Sequence, residues 1–488
     1  MKPKRYVREQ KRYSQDELIK ILGLPEDKTV SILKTLKEYG ILKAVKASDQ
    51  QKDLSDLLDE DIEIADVEVG ENEYLYVFTF VGVVAVSGCI IKCYPKYLIN
   101  AKNPKYELKQ VLRVIERYNA KNQIIRMYND NMESTAFNLL AVIMFLLQDY
   151  FEYGSYSNSE DIIENNGTGD ILWDKTINET FTLLSNNRPY YPEILTRKRV
   201  NDEYDYFKRL HDCILTKCSK ELEDCDLSEL FDIESVCLSD EELDDFGEKE
   251  YILYRIQNEL NIQFNTRKQL VLKTMYAYVN HDSNLDDSDC FSLFGTNNFN
   301  LVWENVCAEI MDNQLYNPLG SLKLPVPLLK GYDKAQPLIS LIDKPIWSDN
   351  DERGNAFEKI ADTLIPDLVS VGINNGKSYF VIFDAKYYNM QFEYSKPLRG
   401  QPGLESITKQ YLYQLAFKRF IAEHSFEIVK NCFLMPTQQD NIINKGKVSM
   451  NMLDSLGLEP VQNRFIPAKL AFDLYLHEQK LNIGLLNL

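Results

Sequence analysis

Apolar positions along the chain fall into runs whose spacing shifts between helical and strand-like. Near the start, Ser14-Gln15-Asp16-Glu17 is a capping box that opens a helix, and Gly23 closes it. Pro25 suits the first position of a second helix, which runs to Tyr39 with Gly40 as its stop. Val30, Leu33 and Leu36, with Ile41 after the stop, form an apolar stripe. Two short helices about a tight turn predict a winged-helix-like module over residues 1–50, a device that either binds DNA or docks a partner. Residues 74–81, 83–86 and 89–93 read as strands punctuated by Gly82 and Ser87-Gly88, giving a small β unit within 51–105. Residues 105–118 and 132–153 have helical period. The second run is apolar nearly all round, as a buried helix would be. Helical text returns at 202–217 and 251–278, so residues 106–284 are expected to be mainly helical. Residues 219–250 are strongly acidic: a solvated helical face, a mobile segment, or a surface for a basic partner. After a polar linker, residues 285–488 are expected to form a further domain. Its elements are a helix at 300–313, a proline-rich loop with strand pieces at 318–347, helix at 357–360, a helix at 405–424 and a strand at 427–435.

One stretch organises that last domain. Ile365-Pro366-Asp367 precedes residues 368–382, apolar and β-branched at both ends with Asn374-Asn375-Gly376 between, and Phe383-Asp384-Ala385-Lys386 follows. Asn-Gly supplies the positive φ angles of a type I′ turn, so two strands joined by a tight hairpin are predicted. With Asn375-Gly376 as the loop, Asn374 faces Lys377, and the same register places Asp367 opposite Asp384. Opposed residues have Cβ atoms roughly 5 Å apart, so two carboxylates there repel unless a cation sits between them. Lys386, two residues on, projects from the same face as Asp384. Two carboxylates and a lysine suit metal-assisted phosphodiester hydrolysis. The hard oxygens bind Mg²⁺, with Mn²⁺ as a substitute, and the lysine orients the attacking water or stabilises developing charge.

Composition narrows the partners. The chain has 488 residues and a formal charge of −19, yet residues 1–50 hold twelve Lys/Arg against seven Asp/Glu. A polyanion finds little long-range attraction in such a protein, so much of the DNA affinity is expected to come from a partner. The start is basic without an apolar core segment, and the longest apolar run, 139–147, is too short to span a bilayer; a cytoplasmic protein without membrane attachment is expected. Nine cysteines are scattered without CxxC pairs. Cys213, Cys218, Cys225 and Cys237 near His211 raise a zinc reading beside the alternative of reduced thiols. No GxxxxGK[ST] loop is present, so the chain itself is not expected to hydrolyse nucleotides.

At Pro366-Asp367 and Asp384-Ala385-Lys386-Tyr387 the sequence resembles the PD-(D/E)XK nucleases, and more closely the McrC and LlaJI-type subunits of restriction systems. Residues 299–307, 166–177 and 407–414 add to the likeness, which covers roughly residue 154 to the C-terminus. The resemblance implies an α+β multidomain protein whose C-terminal domain is a PD-(D/E)XK α/β nuclease core, a mixed sheet flanked by helices. It nominates Glu304 as a supporting acid on the helix before the motif. Gln410, Tyr413 and Gln414 lie at i, i+3, i+4 on the 405–424 helix; they either position the lysine or a phosphate, or satisfy buried backbone groups. The implied activity is Mg²⁺-dependent cleavage of double-stranded DNA by Asp367, Asp384, Lys386 and Glu304, supported by Gln410 and Gln414. The implied partners are a McrB-like AAA+ GTPase, onto which residues 1–105 dock, and a DNA methyltransferase of the same system. A non-catalytic binding scaffold with a nuclease-like fold is the competing reading, against which the intact Asp/Asp-x-Lys set speaks.

Overall fold

The computed structural model describes residues 5–46, 74–101, 103–121, 137–157, 159–186, 188–201, 205–281, 284–285, 287–288, 290–350, 356–395 and 397–488. The acidic stretch 51–73 and the first residues of the helix expected from 132 lie outside them. The chain is a mixed α and β protein of two compact units. The first comprises residues 1–84, 89–124 and 294–488, and the second 85–88 and 125–293.

The first unit begins with β1 (Tyr6–Arg8), β2 (Arg12–Tyr13), α1 (Gln15–Leu22) and α2 (Glu26–Glu38). Ser14 Oγ accepts from Glu17 N, and Glu17 Oε2 accepts from Ser14 N, both at 3.2 Å, so the capping box forms. Gly23 ends α1 at φ 64°. Pro25 is the N-cap of α2, one position before the place expected for it. Strands β3 (Leu42–Lys46) and β4 (Tyr74–Phe78) complete a three-stranded antiparallel sheet in the order β2-β4-β3. The run 74–81 is therefore divided: its first part pairs with the N-terminal module, and β5 (Val81–Val86) starts anew after Phe80. Gly82 lies inside β5 at φ 147°, where a Cβ would come within 2.2 Å of the Phe294 carbonyl oxygen. Close backbone approach, not a strand break, is what the glycine permits. Strand β6 (Cys89–Tyr94) runs parallel to β1, and α3 (Lys105–Lys121) follows.

The rest of the first unit is built on α4 (Phe299–Ile310), β7 (Ile346–Asn350), β8 (Ala356–Ile360), β9 (Leu368–Asn374), β10 (Lys377–Ala385), α5 (Leu404–Glu423), β11 (Ile428–Thr437), β12 (Ile443–Val448), β13 (Val461–Pro467) and α6 (Ala468–Leu476). A five-stranded mixed sheet has the order β9-β10-β11-β13-β12, with β10, β11 and β13 parallel and the two edges antiparallel. Parallel neighbours need crossovers, and α5 supplies the one from β10 to β11. One face packs Val369, Val371, Phe380 and Ile382 against Tyr413, Phe417 and Phe420 of α5. Trp303 of α4 is fully buried and donates its indole N–H to the Leu434 carbonyl at 3.1 Å, tying α4 to the sheet. The helix expected at 357–360 is instead strand β8, paired antiparallel with β7. Phe357 and Ile360 at i, i+3 imitate a helical stripe, but a partner strand ten residues upstream takes the backbone hydrogen bonds.

The second unit packs three helices, Leu139–Tyr153, Tyr206–Asp224 and Thr266–Asn280, with Lys249–Ile262 beside the last. Asp149 and Arg267 form a two-pronged pair at 2.8 and 2.6 Å. The expected helix 251–278 is interrupted at Gln263–Asn265, where the Asn265 side chain caps the second helix by accepting from Lys268 N. This unit is less uniformly helical than expected. Ser159–Asn165, Leu195–Asn201 and Asp170–Ile171 make a three-stranded sheet, and Leu183–Ser185 pairs with Arg188–Tyr190. The acidic stretch 219–250 continues the Tyr206–Asp224 helix, then adds Ser228–Phe231 and a 3-10 turn at Leu243–Phe246.

Candidate active site

The β9–β10 hairpin sets the geometry. Asn375 at φ 50° and Gly376 at φ 80° form the two-residue turn, and the paired register runs from Asn374↔Lys377 to Leu368↔Phe383. One step further brings Asp367 level with Asp384. Val371 with Phe380, and Val369 with Ile382, are the cross-strand pairs that α5 covers. Asp367 and Asp384 continue that row, two carboxyls where an apolar stack ends.

Each acid is held. Asp384 is only 5 % exposed. Its Oδ2 accepts from Gln410 Nε2 of α5 at 3.0 Å. Lys386 Nζ stands 2.9 Å from its Oδ1 in an ion pair. Asp367 Oδ2 accepts from Ala385 N at 2.9 Å. The approach to β9 is pinned from two sides. Tyr413 donates its hydroxyl to the Ile365 carbonyl at 2.9 Å, and Asn313 Oδ1 accepts from Val369 N at 3.0 Å.

The charges act on one another. Burial raises the Asp367 pKa well above the usual carboxylate range, and the Asp384 charge beside it, then Glu304, push the same way. Burial pulls the Lys386 ammonium down, but the Asp384 and Asp367 charges outweigh it and the net shift is upward. Glu304 on α4 is half-buried, and its pKa rises through burial, opposed by Lys386 and reinforced by Asp384. The four groups thus share one electrostatic neighbourhood. Gln414 is turned elsewhere: its Nε2 donates to the Glu459 carbonyl at 2.8 Å and its Oε1 accepts from Glu459 N at 2.9 Å. Of the pair on α5, Gln410 bonds Asp384 and Gln414 clasps backbone.

Two contacts here carried no local signal in the sequence. Asn313 acts through backbone, and the Tyr387 hydroxyl bonds a glutamate 378 positions away. Among the described residues no group of three or more His, Cys, Asp or Glu is placed to hold a metal ion, and all nine cysteines are free thiols. His211 is buried with its Nδ1 accepting from Tyr156 N at 2.8 Å. No described helix is long and apolar enough to cross a membrane.

A half-buried aspartate, a buried one and a lysine thus stand together at the end of a mixed sheet's hairpin. The LlaJI restriction endonuclease family model matches residues 80–469, and the chain belongs to that family of restriction-system nucleases, which defend against incoming DNA. The chain is also similar to the Type II restriction enzyme BsuMI component YdjA of Bacillus subtilis (strain 168), 24 % identical over 499 residues, covering 98 % of this chain and 90 % of that protein. Among solved structures it is similar to a chain of the Thermococcus gammatolerans McrBC complex, 14 % identical, over 64 % of this chain and 87 % of that one, with a TM-score of 0.23.

Proposed function

We propose that this restriction-system subunit cuts double-stranded DNA by Mg²⁺-dependent hydrolysis, and that the sheet β9–β13 with α4 and α5 is a PD-(D/E)XK core. The observation that carries the reading is the facing pair of half-buried Asp367 and buried Asp384, with Lys386 at 2.9 Å from Asp384. Two facing carboxylates repel, and the Asp384 charge pushes the Asp367 pKa upward, so the donor set fits a hard divalent cation. With two protein carboxylates in reach, water and DNA phosphate would complete the donor set of such an ion.

Asp367 and Asp384 would hold the ion. Its chemistry there would be a bound water of lowered pKa and screening of the phosphate charge. Lys386 directs its ammonium at the same point as Asp384 and so orients the attacking water or offsets charge on the phosphorane-like transition state. Gln410 fixes the Asp384 carboxylate by bonding one of its oxygens. Glu304, on the neighbouring helix beside Lys386, would support the metal site.

The acidic total supports a partner that supplies DNA affinity and movement along the duplex. We infer a McrB-like AAA+ GTPase in that role, with a DNA methyltransferase protecting host sites; the similarity to YdjA, a restriction enzyme component, fits a multisubunit assembly. The test is plasmid cleavage in Mg²⁺ by wild type and Asp384→Ala, each with and without the GTPase and GTP. Asp384→Ala is expected to lose at least about a hundredfold in rate, since even outer partners of metal ligands are worth 10–100-fold. Wild-type cutting by that variant would place the chemistry elsewhere, and efficient cutting by the chain alone at physiological salt would remove the partner.

A further inference from the structure

A cleft of about 540 Å³ opens beside Lys386 and Glu304. Its opposite wall comes from the N-terminal part of the chain: Lys43 on β3, and Lys96 just beyond β6. Its floor is the start of α4, with Asn297, Asn298 and Asn300. The two walls are fastened together. Glu9, 4 % exposed, accepts from the Tyr387 hydroxyl and from Lys96 N. Lys96 Nζ bonds Gln10 Oε1 at 2.9 Å and lies 4.5 Å from the Tyr387 ring centroid. Tyr387 directly follows Lys386, so this latch sets the distance from Lys96 to the carboxylate pair.

The chemistry of the cleft selects an anion. Lys43, Lys96 and Lys386 reach it from three separate elements in a chain of net charge −19. The first turn of α4 has no acidic residue, and Asn298 makes no side-chain cap, so leading N–H groups and the positive helix end add to the same potential. Of the two acids lining the cleft, Glu9 is engaged by Tyr387 and Lys96 N, and Glu304 sits by Lys386. The volume lies within the roughly 300–1,000 Å³ of small-ligand sites, room for a nucleotide unit and not only for a lone ion.

Building on the nuclease reading above, we propose that this cleft receives the phosphates of the DNA strand next to the cut, and that Lys43 and Lys96 are substrate-binding residues. The β3 side of the N-terminal module then faces DNA. Lysine contacts of this kind weaken binding to every sequence alike when removed, and each lowers the slope of log affinity against log salt by about one.

The experiment is fluorescence anisotropy of a labelled 20-base-pair duplex with the full chain in EDTA, across a salt series. Lys43→Gln and Lys96→Gln should each bind several-fold more weakly with a shallower salt slope, and Lys43→Arg should restore both. Because Lys96 shares the latch, Lys43→Gln alone decides if the Lys96 variant fails to fold. Unchanged affinity and slope, or loss only of capture by the GTPase partner, would overturn the proposal. Asp384→Ala run alongside separates the claims. If it still cuts while the lysine variants lose DNA, the carboxylate site is wrong and the cleft stands. If it binds without cutting while the lysine variants match wild type, the reverse holds.

Discussion

Gln410→Met removes the one neutral side chain among the described residues that bonds a site carboxylate, while keeping the length and shape of the original. Gln410 is fully buried on α5, with Nε2 at 3.0 Å from Asp384 Oδ2. A hydrogen bond to a charged acceptor contributes about 1.5–3 kcal/mol. The other half of the amide works against it: Oε1 is buried without a hydrogen-bond partner among the described residues, a situation that costs about 1–3 kcal/mol. Methionine deletes both terms, so the net change in stability should lie within about 1 kcal/mol of zero. Activity is another matter. Asp384 would be left with Lys386 alone, which pulls its carboxylate toward the ammonium and away from a cation shared with Asp367. Loss of a group that orients a ligand lowers activity by about 10–100-fold. The assay pairs single-turnover plasmid cleavage in Mg²⁺ with urea denaturation of the same preparation. Cleavage within threefold of wild type would refute the positioning role. A stability loss beyond about 3 kcal/mol would show that Gln410 is chiefly a structural residue.

Lys386→Ala should cut at least about a hundredfold more slowly yet bind Mg²⁺ no worse than wild type by calorimetry, because an ammonium is not a ligand for a hard cation; metal affinity as poor as that of Asp384→Ala would break the division of roles. His211 gives a pH prediction for the second unit. Burial, then the Arg267 charge, lowers its pKa from 6.5 to about 3, so between those values the unfolded chain binds a proton that the folded chain does not. The stability His211 contributes is complete above pH 6.5 and falls by about 1.4 kcal/mol per unit as pH drops toward 3. From pH 7 to pH 5 wild type should therefore lose about 2 kcal/mol more than His211→Gln in urea titrations, and equal losses would mean that His211 is protonated when folded.

How much of this was legible depended on whether the deciding contact was local. The hairpin register followed from Asn375-Gly376, since a two-residue turn leaves one pairing that keeps Val369, Val371, Phe380 and Ile382 on a single face. A slip by one residue would have turned that whole row outward. The α1 capping box and the apolar stripe of α2, with Leu33 and Leu36 buried, were readable for the same reason. Residues 159–201 were not: Ser159–Asn165 shows no apolar alternation, and its pairing with Leu195–Asn201 is made thirty residues later. The break at Gln263–Asn265 lacks glycine and proline and rests on an asparagine cap that any helix interior could also contain. The site itself divides along this line. Its candidate trio, Asp367, Asp384 and Lys386, lies within twenty residues and could be read from turn chemistry, whereas the Gln410 contact needs the crossover helix, and the Glu9–Tyr387 latch needs a contact across most of the chain. A hydrogen bond between residues 378 apart leaves no periodic trace in either segment. It requires only that one glutamate and one tyrosine be buried together. Glu9 lies among the basic residues that open the chain, where its charge alone would suggest a solvated position. The contact that joins the N-terminal part to the carboxylate site is therefore visible only once the fold has brought the two together.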